Sequence, residues 1–212
     1  MPRRTHAEMT ATTRAALLAE ARTAFLAHGY AGAPIDEVVA RAGLTKGALY
    51  HHFGSKLGLF EAVVDELYRD LEARPAPLDP TAPAPWRELL AACRGFLEGL
   101  LAPGVRRLLL VDGPAALGPA RARALDRDRT VTPLVAALRS GPATARLADP
   151  EAVAHVINGA LIGVAQWMDE AAEPREALDR GLAVVRELLV SLLGRPPAAR
   201  ASRPRAVRPR RR

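Results

Sequence analysis

The stretch "GLTKGALYHHFGSK", residues 43–56, holds both lysines of this 212-residue chain, Lys46 and Lys56; the remaining Lys+Arg residues are all arginine. Thr45 can cap a short helix that begins at Lys46, because a threonine hydroxyl accepts a hydrogen bond from an N–H group of the first helical turn. Ser55 can cap the following helix in the same way. The stretch therefore predicts two helices that are close together in the chain.

Helical periodicity extends on the N-terminal side of this stretch. Residues 13–30 form an amphipathic pattern, and residues 33–42 form a second one that ends at Gly43. This second helix and the helix that begins at Lys46 are both short and are joined by a tight turn. Such an arrangement is typical of a helix-turn-helix, which we expect at about 34–53.

One face of the predicted short helix carries polar groups, none of which is acidic. Lys46 and Tyr50 are four residues apart and share a face, and His51 lies about 100° away from Tyr50. No acidic residue occurs in this helix. Gly47 would let the start of the helix approach another surface, and N–H groups at a helix N-terminus suit phosphate oxygens. We expect this face to contact a polyanion.

The rest of the chain also predicts helices, so the fold class is all-α. Further helical patterns cover 56–74, 86–102, 150–172 and 174–194. Prolines and glycines divide 103–148 into two or three shorter helices, and the proline-rich segment 74–85 predicts a connection. We find no run of alternating β-branched and aromatic residues that would predict a strand.

The last two predicted helices carry patterns that are typical of helix–helix contacts. In 174–194, leucines and one valine recur at alternating spacings of four and three residues, which forms a heptad-like seam. In 150–172, Gly159 and Gly163 would let a neighbouring helix approach closely. Self-association and packing within one subunit both explain these patterns.

The charge is unevenly distributed along the chain. The last 18 residues contain eight arginines and no acidic residue, so the formal net charge of +7 becomes −1 without them. Residues 1–57 carry +3 and residues 58–194 carry −4. A polyanionic partner is therefore expected for the N-terminal part. We expect 195–212 to be disordered, either binding nucleic acid non-specifically or having no role.

Sequence signals for catalysis are weak. His51 and His52 diverge by about 100° on a helix, so they cannot bind one metal ion together. None of the four serines lies in a GxSxG motif, and the single cysteine, Cys93, has no motif partner. We therefore expect no enzyme, no metal site and no cofactor. A non-specific, architectural nucleic-acid binder that uses the arginine-rich tail is the other alternative.

Targeting signals are also absent from the sequence. The N-terminus lacks the apolar segment of a signal peptide. The longest nearly apolar run, 159–168, is much shorter than the roughly 20 residues of a membrane span. A single cysteine excludes an internal disulfide. These features predict a soluble, cytoplasmic protein without a membrane partner.

Residues 14–63 resemble the DNA-binding domain of the tetracycline-repressor (TetR) family of bacterial transcription regulators. The resemblance is carried by Leu17, Leu18, Phe25, Gly29, Tyr30, Asp36, Glu37, Val38, Val39, the run 42–50, His52, Phe53, Ser55, Lys56, Leu59 and Phe60. Two departures stand out. Ala33 and Pro34 lie where the family often has hydroxyl side chains, and Leu57 lies where a glutamate is common.

The resemblance implies a sequence-specific regulator, most often a repressor that a small-molecule effector releases from a palindromic double-stranded DNA operator. It implies a flexible arm over 1–10, a DNA-binding domain over 11–71, and an effector-binding and dimerisation domain over 86–194.

The resemblance also suggests residues for each role. The DNA-facing set is Thr45, Lys46, Gly47, Tyr50, His51 and Lys56. The candidate effector pocket is Trp86, Phe96, Asp112, His155, Asn158, Trp167 and Met168, for each of which a core or surface position is the alternative. The candidate homodimer interface is Val153, Gly159, Gly163, Leu178, Leu182, Val185, Leu189 and Leu192.

Overall fold

The computed structural model describes residues 6–74, 85–140 and 147–193, and all regular elements in these ranges are helices. The helices are α1 His6–Gly32, α2 Ile35–Arg41, α3 Lys46–Phe53, α4 Lys56–Ala73, α5 Pro85–Leu100, α6 Val105–Arg107, α7 Gly113–Leu117, α8 Pro119–Asp126, α9 Thr132–Ser140, α10 Pro150–Glu170 and α11 Pro174–Leu193. The first π-helical turn, Leu108–Asp112, joins α6 to α7, and the second, Arg127–Val131, joins α8 to α9. The all-α prediction is confirmed.

The first four helices pack around an aromatic cluster. Phe25 and Phe60 are fully buried, and their rings meet edge to face with centroids 5.1 Å apart. The Tyr30 ring lies 4.9 Å from the Phe60 ring. Complete burial of a phenylalanine stabilises a fold by about 1.5–3 kcal/mol. Helix α3 packs on this core through Leu49, which is also fully buried.

Helix α1 differs from its prediction at the N-terminus. It begins at His6, so residues 6–10, which we expected to belong to a flexible arm, are helical. The Thr12 hydroxyl donates to the Glu8 carbonyl at 2.8 Å, which is a contact within this helix. The first five residues of the predicted arm lie outside the described ranges.

Helix α1 is interrupted near its C-terminus at Gly29, where the sequence predicts a helix end. Gly29 has φ 73° and ψ 178°, a conformation that a residue with a Cβ rarely adopts. A Cβ there would also lie 2.7 Å from Oδ2 of Asp112. Glycine is therefore required at this position both by the backbone and by a neighbour from the C-terminal part of the chain.

The C-terminal domain is built on α5, α10 and α11, which pack against one another. Leu178, Leu182, Val185 and Leu189 of α11 are buried within the subunit. The heptad-like seam is therefore an intrasubunit contact, which corrects the expectation that these four residues face a partner. Its spacing predicts a helical neighbour, and the tertiary structure supplies that neighbour from the same chain.

The two domains contact each other through charged side chains. Arg107 donates from Nη2 to the carbonyls of Phe25 (3.3 Å) and Leu26 (3.1 Å). Asp112 accepts a hydrogen bond from the Tyr30 N–H at 3.0 Å. The end of α1 is thus held by the segment that runs from α6 through the first π-helical turn.

Most of the predicted connection (75–84) and the predicted disordered tail (195–212) lie outside the described residues. Within the described ranges, none of the helices is long and apolar enough to cross a membrane.

Candidate nucleic-acid interface and ligand cavity

Five of the six predicted DNA-facing residues lie together on the outer face of α3. Thr45, Lys46, Gly47, Tyr50 and His51 are exposed, and 52% of the Tyr50 surface is accessible. The predicted caps are confirmed: Thr45 Oγ1 accepts from the Ala48 N–H at 3.3 Å, and the Ser55 side chain accepts from the first turn of α4. Because the opposite face carries the buried core contact of α3, this polar face points away from the domain.

Lys46 is the one member of this face with an ion-pair partner among the described residues. Its Nζ lies 2.6 Å from Oδ1 of Asp36 in α2. A hydrogen bond to this carboxylate, followed by its charge, raises the pKa of Lys46. Both side chains are exposed, so solvent screens the pair and Lys46 can be transferred to another anion. The sequence places Asp36 near this helix but does not predict the pairing.

Lys56, the sixth predicted residue, binds the domain itself. Its Nζ donates to the carbonyls of Ala31 and Ala33, both at 3.1 Å, and lies 5.3 Å from the centre of the Tyr30 ring. The ammonium group thus satisfies carbonyls at the end of α1. The sequence did not predict these contacts, because backbone carbonyl partners leave no signature in a sequence; a DNA contact of Lys56 stays a prediction.

The fold does not require glycine at position 47. A Cβ there would lie 3.6 Å from the Thr45 hydroxyl, which is an ordinary contact distance. Alanine is a better helix former than glycine by about 1 kcal/mol. Any requirement for glycine therefore comes from a surface outside the chain.

A cavity of about 230 Å³ lies between the two domains and is mostly apolar. Helices α4, α5, α9 and α10 and the second π-helical turn contribute its walls. The lining residues are Tyr68, Leu71, Glu72, Leu89, Ala92, Cys93, Phe96, Arg129, Thr130, Pro133, Leu134, Ile157, Asn158 and Leu161. Ligand pockets are typically apolar with a few polar groups, and this cavity has that character.

The structure brings only two of the seven predicted pocket residues, Phe96 and Asn158, to this cavity. Asp112 lies instead at the domain junction, and His155 is exposed on α10. Trp86 lies 5.5 Å from the Arg186 guanidinium on another surface. These three residues therefore do not line this cavity, and their apolar or polar character fits surface and junction sites as well as a pocket.

The remaining two predicted pocket residues lie on other parts of α10. Trp167 is 38% exposed, with the Arg180 guanidinium 5.0 Å from its ring centre, and Met168 is fully buried outside the cavity wall. Sequence reasoning also missed Tyr68, Glu72 and Arg129. A tyrosine on an amphipathic helix and an arginine in an Arg–Asp run read equally well as core and surface residues.

A hydrogen-bonded group lies behind one wall of the cavity. Asn158, which is 7% exposed, donates from Nδ2 to Oδ2 of Asp126 at 2.8 Å, and the Thr130 hydroxyl donates to Oδ1 of Asp126 at 2.9 Å. Burial, and then the nearby Asp126 charge, raises the pKa of Tyr68, so its hydroxyl stays protonated. Burial raises the pKa of the Cys93 thiol to about 12.

Arg129 belongs both to the cavity wall and to the domain junction. Its Nε and Nη2 lie 2.7 Å and 2.6 Å from the same oxygen of Asp65 in α4. Asp65 also pairs with Arg69 of its own helix. On the other side, Arg129 borders a polar groove together with Asp65, Glu61 and Arg121. One arginine thus separates the apolar cavity from a polar interdomain groove.

Helices α10 and α11 leave an apolar face uncovered, which we call the α10–α11 face. Val156, Trp167, Val184, Leu188 and Leu192 are between 37% and 61% exposed. Gly159 and Gly163 of α10 have open space where a Cβ would lie. Of the predicted interface, these two glycines and Leu192 belong to the α10–α11 face, whereas Val153 is half-buried.

No cluster that could hold a metal ion occurs in residues 6–74, 85–140 and 147–193: no three His, Cys, Asp or Glu side chains converge there.

Comparison with known proteins matches both domains. The family described as "Bacterial regulatory proteins, tetR family" matches residues 17–63, and the family described as "Tetracyclin repressor-like, C-terminal domain" matches residues 86–192. A crystal structure of a TetR-family transcriptional regulator from Pectobacterium atrosepticum is 36% identical, with a TM-score of 0.73, over 91% of this chain and 100% of that one.

Two curated relatives are also similar. The HTH-type transcriptional regulator CymR of Pseudomonas putida is 33% identical over 133 residues, which are 61% of this chain and 66% of CymR. The HTH-type transcriptional repressor BepR of Brucella suis is 42% identical over 62 residues, 29% of each chain. The matched part thus spans just under two thirds of CymR and less than one third of BepR.

Proposed function

We propose, on the premise that this chain belongs to the TetR family of transcription regulators, that it is a homodimeric repressor which a small-molecule effector releases from a palindromic operator. The DNA-binding unit is proposed over 11–71 and the effector-binding and dimerisation unit over 86–194. Since its target is DNA inside the cell, a cytoplasmic location is part of the proposal.

The observation that carries this proposal is the outer face of α3. Five adjacent polar or small residues project from a short helix whose opposite face is anchored in the core. A short helix of this kind enters the major groove in helix-turn-helix docking, with its first turn nearest the base edges. Lys46 lies in that turn and can bind either the guanine O6/N7 edge or a phosphate.

The α10–α11 face supports the homodimer. A single recognition helix makes few base contacts, so two of them are expected to bind successive major grooves about 34 Å apart. Exposed apolar side chains next to glycines without a Cβ suit close packing against a second copy. TetR-family regulators typically dimerise.

Selection from random DNA tests the function directly. We expect enrichment of a palindrome with half-sites about one helical turn apart. Uniform binding to all sequences would favour the architectural binder instead.

Two adjacent leucines test the interface. Leu188 is 43% exposed and Leu189 is fully buried. Leu188→Glu should give a folded monomer by sedimentation and circular dichroism, because it places a charge only in the α10–α11 face. The matched variant Leu189→Glu should unfold the chain. A wild-type monomer at micromolar concentration would contradict the dimer.

The cavity supports effector control. An effector releases DNA only if it binds the DNA-incompetent state more tightly than the competent one. Ala92 lines the cavity on α5, so Ala92→Trp should fill the space and prevent the response of operator affinity to an effector. An unchanged response in this variant would show that the effector binds elsewhere.

A further inference from the structure

The cavity wall contains an unused hydrogen-bond donor, the hydroxyl of Tyr68. Tyr68 is 5% exposed, and its hydroxyl makes no hydrogen bond to any described residue. Among the described residues, no fully buried side-chain oxygen or nitrogen lacks a partner. The Tyr68 oxygen therefore keeps some accessible surface, and its residue lines the cavity. Thr130 offers no such donor, because its hydroxyl already donates to Asp126, whereas Asn158 uses one of the two hydrogens of Nδ2 for Asp126.

Arg129 is the second donor of the wall. Its two contacts with Asp65 use Nε and Nη2, and Nη1 makes no hydrogen bond to any described residue. A guanidinium is always charged and offers its donors in a planar fork that fits a carboxylate. The ion pair with Asp65 holds the second π-helical turn to α4, so a new partner for Arg129 would change a domain contact.

Glu72 is the acidic residue of the wall and acts against an anion. It is exposed, however, whereas only 32% of the Arg129 side chain is accessible. Solvent screens an exposed charge more strongly than a half-buried one. Inside the cavity, the attraction of Arg129 is therefore expected to exceed the repulsion of Glu72.

We propose that the cavity binds a small apolar carboxylate, whose charged group accepts hydrogen bonds from Tyr68 and Arg129 and competes with Asp65 for Arg129. This inference rests on the proposed function, because it takes the cavity as the effector site. The volume of about 230 Å³ is about eight times the roughly 30 Å³ of a water molecule in the liquid. A ligand of about ten non-hydrogen atoms fits that volume.

The competition also gives the ligand a route to the DNA-binding domain. When Arg129 binds the ligand, Asp65 still retains its ion pair with Arg69. The free-energy cost to α4 is therefore smaller than it would be if the Asp65 carboxylate were left without an ion-pair partner. The second π-helical turn then loses its ion pair with α4, the helix that directly follows α3.

Three probes with one eight-carbon chain and different charges test the proposal: octanoate, octanamide and octylamine. We measure their binding to the full-length protein by calorimetry. Octanoate should bind at least tenfold more tightly than octanamide. Arg129→Gln should abolish this preference, and Arg129→Lys should retain part of it, because it keeps the charge without the fork.

Asp65→Asn provides a test with the opposite sign. It removes the competitor for Arg129, so octanoate should bind severalfold more tightly while octanamide is unchanged. If the ion pair had a purely structural role, both variants would bind octanoate and octanamide more weakly. The matched control is Arg121→Gln: Arg121 pairs with Glu61 of α4 and borders the polar groove, but does not line the cavity. This variant should leave the preference unchanged.

The outcomes separate this inference from the proposed function. An octanoate preference that survives Arg129→Gln, or a failure of all three probes to bind, overturns the inference. A preference for octylamine that is lost in Glu72→Gln overturns it in favour of a cation. If the probes bind in wild type without a preference for octanoate, and none binds in Ala92→Trp, the cavity remains a ligand site and only the anion is wrong. Binding that Ala92→Trp leaves intact contradicts both.

Discussion

The exposed face of α3 and the cavity between the domains present polar groups in different ways. On α3, lysine, tyrosine and histidine side chains project outward around a helix anchored by Leu49. At the cavity, Tyr68, Asn158 and Arg129 border a partly open, mostly apolar space. An exposed polar face suits a large partner such as a DNA duplex, whereas a cavity of limited volume suits a small molecule. The same all-α architecture thus provides two kinds of recognition.

The burial of Cys93 should protect its thiol. The usual pKa of about 9 rises to about 12 for Cys93, and the thiolate is the reactive form. At pH 8 we expect alkylation of Cys93 about a thousandfold slower than that of an exposed cysteine. The comparison variant combines Cys93→Ala with His51→Cys, which moves the thiol to the outer face of α3. Equal alkylation rates would contradict the burial of Cys93.

The same shift predicts a pH dependence. Between about pH 9 and pH 12 the unfolded chain loses the Cys93 proton while the folded chain retains it. The native state then binds more protons, so the free energy of unfolding should fall as the pH rises through this window. Cys93→Ala should reduce this fall, as measured by chemical denaturation.

The junction between the two regions depends on Gly104, which has φ +79°. A Cβ there would lie 2.3 Å from the Leu26 carbonyl oxygen. Gly104→Ala should therefore lower the free energy of unfolding by about 3 kcal/mol or more, since strain and overlap with a backbone atom add. Gly43 is the matched control, because it has φ +67° but open space around its Cβ position. Gly43→Ala should cost only about 1 kcal/mol.

The two lysines should separate DNA binding from folding. Lys46→Ala should weaken operator binding by roughly 1–3 kcal/mol, with little effect on unfolding. Lys56→Ala should lower the free energy of unfolding by about 1–2 kcal/mol, because the carbonyls of Ala31 and Ala33 lose a charged donor. Its salt dependence of DNA binding should match wild type. A reduced salt slope for Lys56→Ala would instead support the predicted DNA contact of Lys56.

The smallest effect concerns the approach to α3. Gly47→Ala should leave the fold unchanged or stabilise it by up to about 1 kcal/mol. Operator affinity should nevertheless fall, because the added methyl group projects into the space that DNA would occupy. Unchanged affinity would mean that the helix start does not approach DNA closely. Binding titrations alongside thermal unfolding distinguish these results.

The sequence by itself determined the all-α class, the long helices, the caps at Thr45 and Ser55, the turn that joins α2 to α3, and the outer face of α3. These features depend on residues three or four positions apart, whose relative positions a helix fixes. The sequence predicted two or three short helices over 103–148, where the described part has four helices and two π-helical turns. The family also followed from the sequence, because the spaced residues over 14–63 form a continuous pattern.

The tertiary structure decided which helix faces are covered and which distant residues meet. Helical periodicity shows that α11 has an apolar face, but it does not show that this face is covered by α5 and α10 of the same subunit. Lys56 reaches carbonyls 23 and 25 residues away, and Arg129 reaches a carboxylate 64 residues away. The cavity likewise combines four helices and a π-helical turn. Such contacts arise from the packing of whole helices, which local spacing does not encode.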